Sequence, residues 1–395
     1  MRRGVGLVLA GVVLATLVAL AFGLDERARR PRDLAAALSV SDALGGPADP
    51  RFARAESPRA FSFPADHGPH DGFRTEWWYV TANLFAPDGR AFGAQLTFFR
   101  NALAPPVAMP GSSSRFRDPH VWMAHFALSD ERASRFRFAE RFAREGTGLA
   151  GATATPFAVH VEDWRIASTG EAFAPFHLAA RDGDFALELE LSPAKPEVLQ
   201  GDSGLSRKGP EPGNGSYYYS IPRLAARGTV EIAGRKHAVE GDAWLDREWS
   251  TSALGPELAG WDWFALQLDD GRELMYYRLR RKDGGANPFS RGSLVERDGT
   301  ARPLAASEVE LTPLTTWASP RGAVYPSRWR LTIPAEGIDL EAIGWILMAG
   351  GALSVLFGAI QGAGWMSAHN QNKRFVTERH VTDDGQHFVE EVRQD

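Results

Sequence analysis

The sequence predicts an all-β protein: two tandem antiparallel β-barrels, the second incomplete, with an apolar segment near each end of the chain. Three observations carry this expectation. From Phe61 onward the chain breaks into short apolar–polar alternations separated by Gly-, Pro- and Asp-rich turns, the period-two signature of strands. Two hairpins of one design lie far apart in the chain, which implies two units of related architecture. Between the two long uncharged runs no segment holds a helical period.

At 395 residues the chain is long enough for two medium cores. Its 44% hydrophobic and 24% charged residues are ordinary for a globular protein. A net charge of -5 offers no basic stripe, so nucleic acid is not an expected partner. The absence of cysteine removes disulfides, thiolate nucleophiles and thiolate metal sites, and no cofactor is expected. Twelve tryptophans predict that some indoles line a cavity for a hydrophobic small-molecule ligand rather than simply pack.

Taken in order, residues 1–24 begin with Arg2-Arg3 and carry no charge from Gly4 to Leu24, as a signal peptide or an uncleaved signal anchor does. Residues 25–58, rich in Arg, Ala and Pro, form a spacer. The first barrel is expected over 59–225. It opens with a hairpin, Thr75 to Phe85 and Ala91 to Arg100, around Pro87-Asp88-Gly89. On its first strand Trp77, Tyr79, Thr81 and Asn83 share one face, and Trp78, Val80, Ala82 and Leu84 the other. Asp184 to Leu191 alternates as a strand, and Val198 to Ser216 reads as a long loop near the domain seam. The second barrel is expected over 226–340, with a strand at Gly228 to Ile232. Its hairpin, Trp261 to Leu268 and Arg272 to Arg280, turns at Asp269-Asp270-Gly271.

Residues 342–366 are uncharged, broken only by Gln361, and predict a transmembrane helix. Asp339 and Glu341 precede this run, and Lys373 and Arg374 follow it. The positive-inside rule then puts the tail 367–395 in the cytoplasm and the barrels outside, periplasmic or at the cell surface, with the membrane as a partner.

Three constellations bear on chemistry. Asp66, His67 and His70 could offer metal ligands, but both histidines flank Gly68-Pro69 and no third ligand lies near, so hydrogen bonds that hold a turn are expected. Gly201-Asp202-Ser203-Gly204 looks like a serine-nucleophile motif without its flanking sequence. The Asp242-to-Trp249 segment is the strongest candidate. On an unbulged strand Asp242, Trp244, Asp246 and Glu248 share a face, and three carboxylates there are costly to bury unless paired or used. Their available partners include Glu76, Asp262, Arg100, Arg247, Arg278 and Arg280. An internal salt-bridge network plugging a barrel is the competing explanation.

Motifs in a fixed order run from about residue 60 to 335. They are Phe63 to His70, leading into Glu76-Trp77-Trp78-Tyr79; Met123-Ala124-His125-Phe126-Ala127; Gly204 to Gly209; Ser216 to Ser220; Gly241 to Ser250; and Gly260 to Phe264. In these the chain resembles the AttH and carotenoid 1,2-hydratase-like family of secreted, hydrolase-like proteins. The resemblance implies two lipocalin-like barrels and water addition to an apolar polyene. Asp66, His67, His70, Glu76, His125 and Arg278 fall in the shared motifs. The hydratase branch carries His-x-Trp where this chain has Arg247-Glu248-Trp249, and Tyr-x-Asp where it has Tyr276-Tyr277-Arg278. An acid would therefore come from Asp242, Asp246, Glu248 or Asp262. Family members close the second barrel with further strands, where this chain begins its second apolar run.

Trp77, Trp78, Tyr79, Trp244, Trp249, Trp261, Trp263 and Tyr276 are the expected walls of the apolar site. An acid raised by such walls protonates a C=C bond, the aromatic faces shield the cation, and water completes the addition. A non-catalytic carrier of an apolar ligand needs the same walls, and a scaffold with a collapsed cavity is the third reading. A buried carboxylate without an arginine partner would favour the enzyme.

Overall fold

The structure, a computed structural model, describes residues 49–105, 118–251, 255, 257–318 and 324–345, with strand backbone at 365–368, 375–381 and 388–394. The predicted signal segment 1–24 lies outside the described residues. Thirteen strands build the first sheet: β1 (Thr75–Phe85), β2 (Ala91–Ala102), β3 (His120–Asp130), β4 (Arg135–Arg144), β5 (Ala150–Ala154), β6 (Phe157–Val161), β7 (Trp164–Ser168), β8 (Phe176–Asp182), β9 (Phe185–Pro193), β10 (Val198–Leu199), β11 (Leu205–Arg207), β12 (Gly215–Ile232) and β13 (Arg235–Ser250). Their order is β4-β3-β2-β1-β13-β12-β9-β8-β7-β6-β5, with β10 and β11 paired to β12. The sheet curls into a nearly closed barrel with β4 and β5 at its edges, and Arg141 of β4 reaches Glu162 in the β6–β7 turn at 3.2 Å.

The hairpin β1–β2 forms as its turn chemistry requires. Gly89 takes a φ of +77°, and its N–H donates to Ala86 O at 2.9 Å. The long connection back to β13 was less legible. β13 pairs with β1 from Thr75↔Ser250 to Phe85↔Glu240, so the expected boundary at 225/226 falls inside β12 and the first barrel runs on to Ser250. Without β12 and β13, β1 would present an open edge.

Inward-facing side chains fill this barrel. Trp78, Leu96, Phe98, Trp122, Phe126, Trp164 and Trp249 belong to one buried cluster, with Trp78 stacked on Trp122 at 5.6 Å. Its interior is a packed core of the kind small barrels have.

The second unit sets β14 (Leu258–Gln267), β15 (Glu273–Arg281), β16 (Arg291–Val295) and β17 (Ala301–Ala305) against β18 (Glu310–Ala318), β19 (Val324–Ile333), β20 (Ile338–Trp345) and β21 (Trp365–Ala368). Phe264, Leu266, Tyr276, Trp329, Leu331 and Ile333 lie between the two sheets. A separate hairpin joins β22 (Phe375–Val381) to β23 (Phe388–Gln394).

The expected helix over 342–366 is corrected at both ends. Residues 342–345 complete β20, and Trp365 begins β21, which pairs with β20 from Ala342↔Ala368 to Trp345↔Trp365. The rest of that expected helix, residues 346–364, lies outside the described residues. The second barrel thus gains a strand from beyond residue 340. Among the described residues no helix is long and apolar enough to cross a membrane.

A third cluster joins the two units. Tyr218 and Trp244, on the outer face of the first sheet, meet Leu258, Met275, Tyr277 and Leu279 of the second. Gln267 donates to the backbone oxygens of Pro222 (2.9 Å) and Ala243 (3.0 Å), and Lys195 donates to those of Gly271 (2.7 Å) and Glu296 (2.6 Å).

Candidate active site

β13 runs without a bulge from Asp242 to Ser250, so Asp242, Trp244, Asp246 and Glu248 do share a face. The register shift lies on β12, between Ile221 and Leu224. The shared face is the outer one, turned towards β14 and β15, because Ala243, Leu245 and Trp249 take the inward positions.

Asp246 is the centre of this face. Across the sheet its neighbours in register are Tyr79 on β1 and Ser220 on β12. Its Oδ1 accepts from Ser220 Oγ (2.6 Å), Trp244 Nε1 (2.8 Å) and Tyr218 OH (2.9 Å). Trp263 of the second unit donates to Tyr218 OH (3.3 Å) and stands edge-on to Tyr79 (5.4 Å). Among the described residues no cation lies within ion-pair distance of Asp246. Burial pushes its carboxyl up to about 7 against the hydrogen bonds from Ser220, Trp244 and Tyr218. Near neutral pH it is therefore shared between the acid and the carboxylate forms.

The other three candidate acids have cationic partners. Asp242 is half-buried and bound to Arg223 (2.8 Å). Glu248 accepts from Ser216 and lies 3.5 Å from Lys208, whose ammonium sits 3.9 Å over the ring of Tyr277 and donates to Ser206 Oγ (2.8 Å). Burial makes the Lys208 ammonium easier to deprotonate, but the Glu248 and Tyr277 charges outweigh it and hold the group above the ordinary lysine value, so Lys208 stays charged. Asp262 does not join this group. It lies on the opposite face of β14 beside Phe264, held by Arg278 (2.9 Å) and Arg280 (3.5 Å), with burial raising its carboxyl against both arginines.

The aromatic candidates divide by strand face. Trp77, Tyr79, Trp244, Trp261 and Trp263 stand on the facing surfaces of the two units, all but Trp244 only half-buried. Trp78 and Trp249 instead belong to the first barrel's core, and Tyr276 to the second's, so these three are corrected to packing residues. Both faces of each strand carry large apolar groups, so alternation separates the two sets without saying which set is inside.

An ionic plug does exist, but in the first barrel and from other residues. Glu76 accepts from Arg100 and Arg247, all three fully buried, and from the backbone N–H of His70 (3.1 Å). Burial would raise this carboxyl; Arg247 and Arg100 hold it well below the usual carboxylate range. The Arg247 guanidinium lies 3.8 Å over Trp78, and His70 stacks on Trp249 at 3.7 Å.

His70 also meets Asp66 at 3.0 Å, while His67 turns away to Tyr219 OH (2.7 Å) and stacks on Phe173 (3.4 Å). Burial and the Arg247 charge push His67 down to about 3, so it is neutral. The trio pins the segment before β1, as the turn reading expects. His125, on the outer face of β3, meets Glu140 at 2.8 Å. Among the described residues the trio with metal-ligand spacing is Asp118, His120 and Glu145. There His120 Nδ1 lies 3.1 Å and 3.3 Å from the two carboxylates, as an ion pair also would.

Sequence reasoning did not single out Tyr218, Ser220, Lys208, Tyr277 or Gln200. The first three lie within quoted motifs, and the alternation Ser216, Tyr218, Ser220 is the signal that places Tyr218 and Ser220 on one face of β12.

A family model for AttH-like proteins matches residues 54–344. The crystal structure of an AttH protein from Nitrosomonas europaea is similar at 36% identity with a TM-score of 0.65, over 75% of this chain and 88% of that one. Kievitone hydratase from Nectria haematococca shares the fold at 14% identity and a TM-score of 0.53, over 74% of this chain and 83% of that one. No curated protein matches.

Proposed function

Because this chain belongs to the AttH-like family, we propose that it is a hydratase-type enzyme for a large apolar alkene, with Asp246 as the general acid. The observation that carries this reading is the buried Asp246 carboxyl, which accepts from two hydroxyls and an indole, has no cation within ion-pair distance among the described residues, and is set among half-exposed aromatic rings. That a hydratase shares the fold is consistent with it. Asp246 gives its proton to one alkene carbon, and the π electrons form the new C–H bond. The cation left on the other carbon lies against the faces of Trp244, Trp263 and Tyr79. Water bonds to that carbon and returns a proton to the carboxylate, so the net change is addition of one water.

In this reading the reaction takes place between the two units, because Asp246 lies on the outer face of the first sheet while its inward side chains pack against one another. That packing also weighs against a carrier holding its ligand inside the barrel. Export through residues 4–24, with the barrels outside the cytoplasm and tethered at the membrane surface, belongs to the same proposal. It rests on the basic start and the uncharged run.

The test incubates the full-length protein and Asp246→Asn with isoprenoid polyenes in isotopically labelled water. Wild type should yield product carrying labelled oxygen, and the variant at least a hundredfold less. Equal yields from the two would remove Asp246 from the chemistry, and no hydrated product from either would end the hydratase reading.

A further inference from the structure

The loop after β10 holds a residue that no part of the proposed mechanism uses. Gln200 is fully buried, and its backbone N–H donates to Tyr218 O at 3.0 Å. Its side chain bridges two sheets. Nε2 donates to Ser220 Oγ at 3.0 Å, and Oε1 accepts from Ser293 Oγ, on β16 of the second unit, at 2.7 Å. Ser220 and Ser293 are buried as well. A hydroxyl has one proton. With its oxygen already accepting from the amide, Ser220 directs that proton to Asp246 Oδ1 at 2.6 Å.

The turn that follows keeps Gln200 in place. This is the Gly201-to-Gly204 segment that looks like a nucleophile motif. Asp202 and Leu205 exchange both backbone hydrogen bonds at 2.9 Å. Gly201 has a φ of +73°, and a Cβ there would lie 2.3 Å from Leu205 O. Gly204 has a φ of +93°, and a Cβ there would lie 2.1 Å from the ring of Phe61. Neither position admits a side chain, so this turn requires glycine at both. Its role is to deliver the residue before it.

We propose that Gln200 is a positioning residue, which fixes Ser220 as a donor to Asp246 and ties that carboxyl to the seating of the second unit through Ser293. The inference rests on Asp246 being the acid. An acid that must give and regain a proton in each turnover works best when neither form is strongly favoured. Burial alone favours the protonated form, and Ser220 opposes it only while its hydroxyl is aimed. The other ionisable groups around Asp246 are Tyr79 on β1, Tyr218 on β12, and Asp242 and Glu248 on β13. Beyond these lie Arg223, Lys208 and, on β15, Tyr277. None contacts Gln200 through an ion pair, so its removal acts through Ser220.

The experiment is an infrared pH titration of the full-length protein without substrate. The carboxylic acid band of Asp246 is assigned by its loss in Asp246→Asn. Gln200→Leu should move the midpoint up by about half to one pH unit, the size of one neutral hydrogen bond. Ser293→Ala, which keeps the amide but frees it to rotate, should give a smaller shift in the same direction. A midpoint unchanged in both variants, while Ser220→Ala moves it, would overturn the relay. A midpoint shift in a protein that hydrates no alkene would support the relay and sink the hydratase reading alone. If Gln200→Leu does not fold, Ser293→Ala decides.

Discussion

Trp244 and Asp246 lie two residues apart on the outer face of β13, and the indole N–H of the first donates to the carboxyl of the second at 2.8 Å. An acid kept beside an indole and two hydroxyls but no cation gains hydrogen bonds without gaining a counter-charge. Its ionisation is therefore paid for by the fold.

The first prediction follows from that cost. Burial raises the Asp246 carboxyl in the folded state to about 7, from an ordinary value of 3.8. A group raised in this way contributes its full stability below the ordinary value and loses it as pH climbs through the folded one. Urea unfolding should show wild type losing up to about 4 kcal/mol between roughly pH 4 and 7. Asp246→Asn should lack this component of the slope. Parallel stability curves for the two proteins would contradict the assignment.

Glu76 behaves in the opposite sense. Its carboxyl is held low by Arg247 and Arg100 against burial, so its contribution is present above the ordinary carboxylate value and lost as pH falls. Glu76→Gln leaves the buried Arg247 guanidinium without its anion, and Arg100 with only the exposed Asp71 at 3.4 Å, and should destabilise the protein by about 3–5 kcal/mol at pH 7. The difference from wild type should shrink in acid. Equilibrium denaturation at pH 7 and pH 3 measures both.

Lys195 clamps the second unit to the first. It is buried, paired with Glu273 at 2.6 Å, and donates to two backbone oxygens of the β14–β15 and β16–β17 turns. Lys195→Met should cost about 3 kcal/mol, since Arg223 still pairs with Glu273 at 2.7 Å. Amide hydrogen exchange should speed up in β15 and β16 and stay unchanged in β1 to β4.

The pairing of β20 with β21 bears on topology. Both strands lie on one side of any membrane, so a reporter fused after Asp395 should be active in the compartment that holds the barrels. Activity only in the cytoplasm, with the barrels outside, would mean that the chain crosses between residues 346 and 364 and that the pairing is wrong.

The hairpins were legible because their signals are local. Asp88-Gly89 and Asp270-Gly271 each force one turn, and the strands beside them alternate. The common face of Asp242, Trp244, Asp246 and Glu248 was legible for the same reason. What surrounds them was not. Ser220 and Tyr218 reach Asp246 from the neighbouring strand β12, some 26 to 28 residues earlier in the chain, and Gln200 meets Ser293 from 93 residues away. Trp78, Trp249 and Tyr276 were indistinguishable in sequence from Trp77, Trp244 and Tyr277. Which face of a strand points inward depends on the closure of the whole barrel, and no stretch of sequence states it.

The parity of a residue number on β13 therefore separates two kinds of constraint. Odd positions from Ala243 to Trp249 pack the barrel, and even ones from Trp244 to Glu248 face the second unit. A substitution at an odd position is answered by folding, and one at an even position, if the proposed mechanism holds, by chemistry. Under the proposed mechanism the even positions could change the substrate while the odd ones keep the scaffold, one strand serving as both wall and workbench.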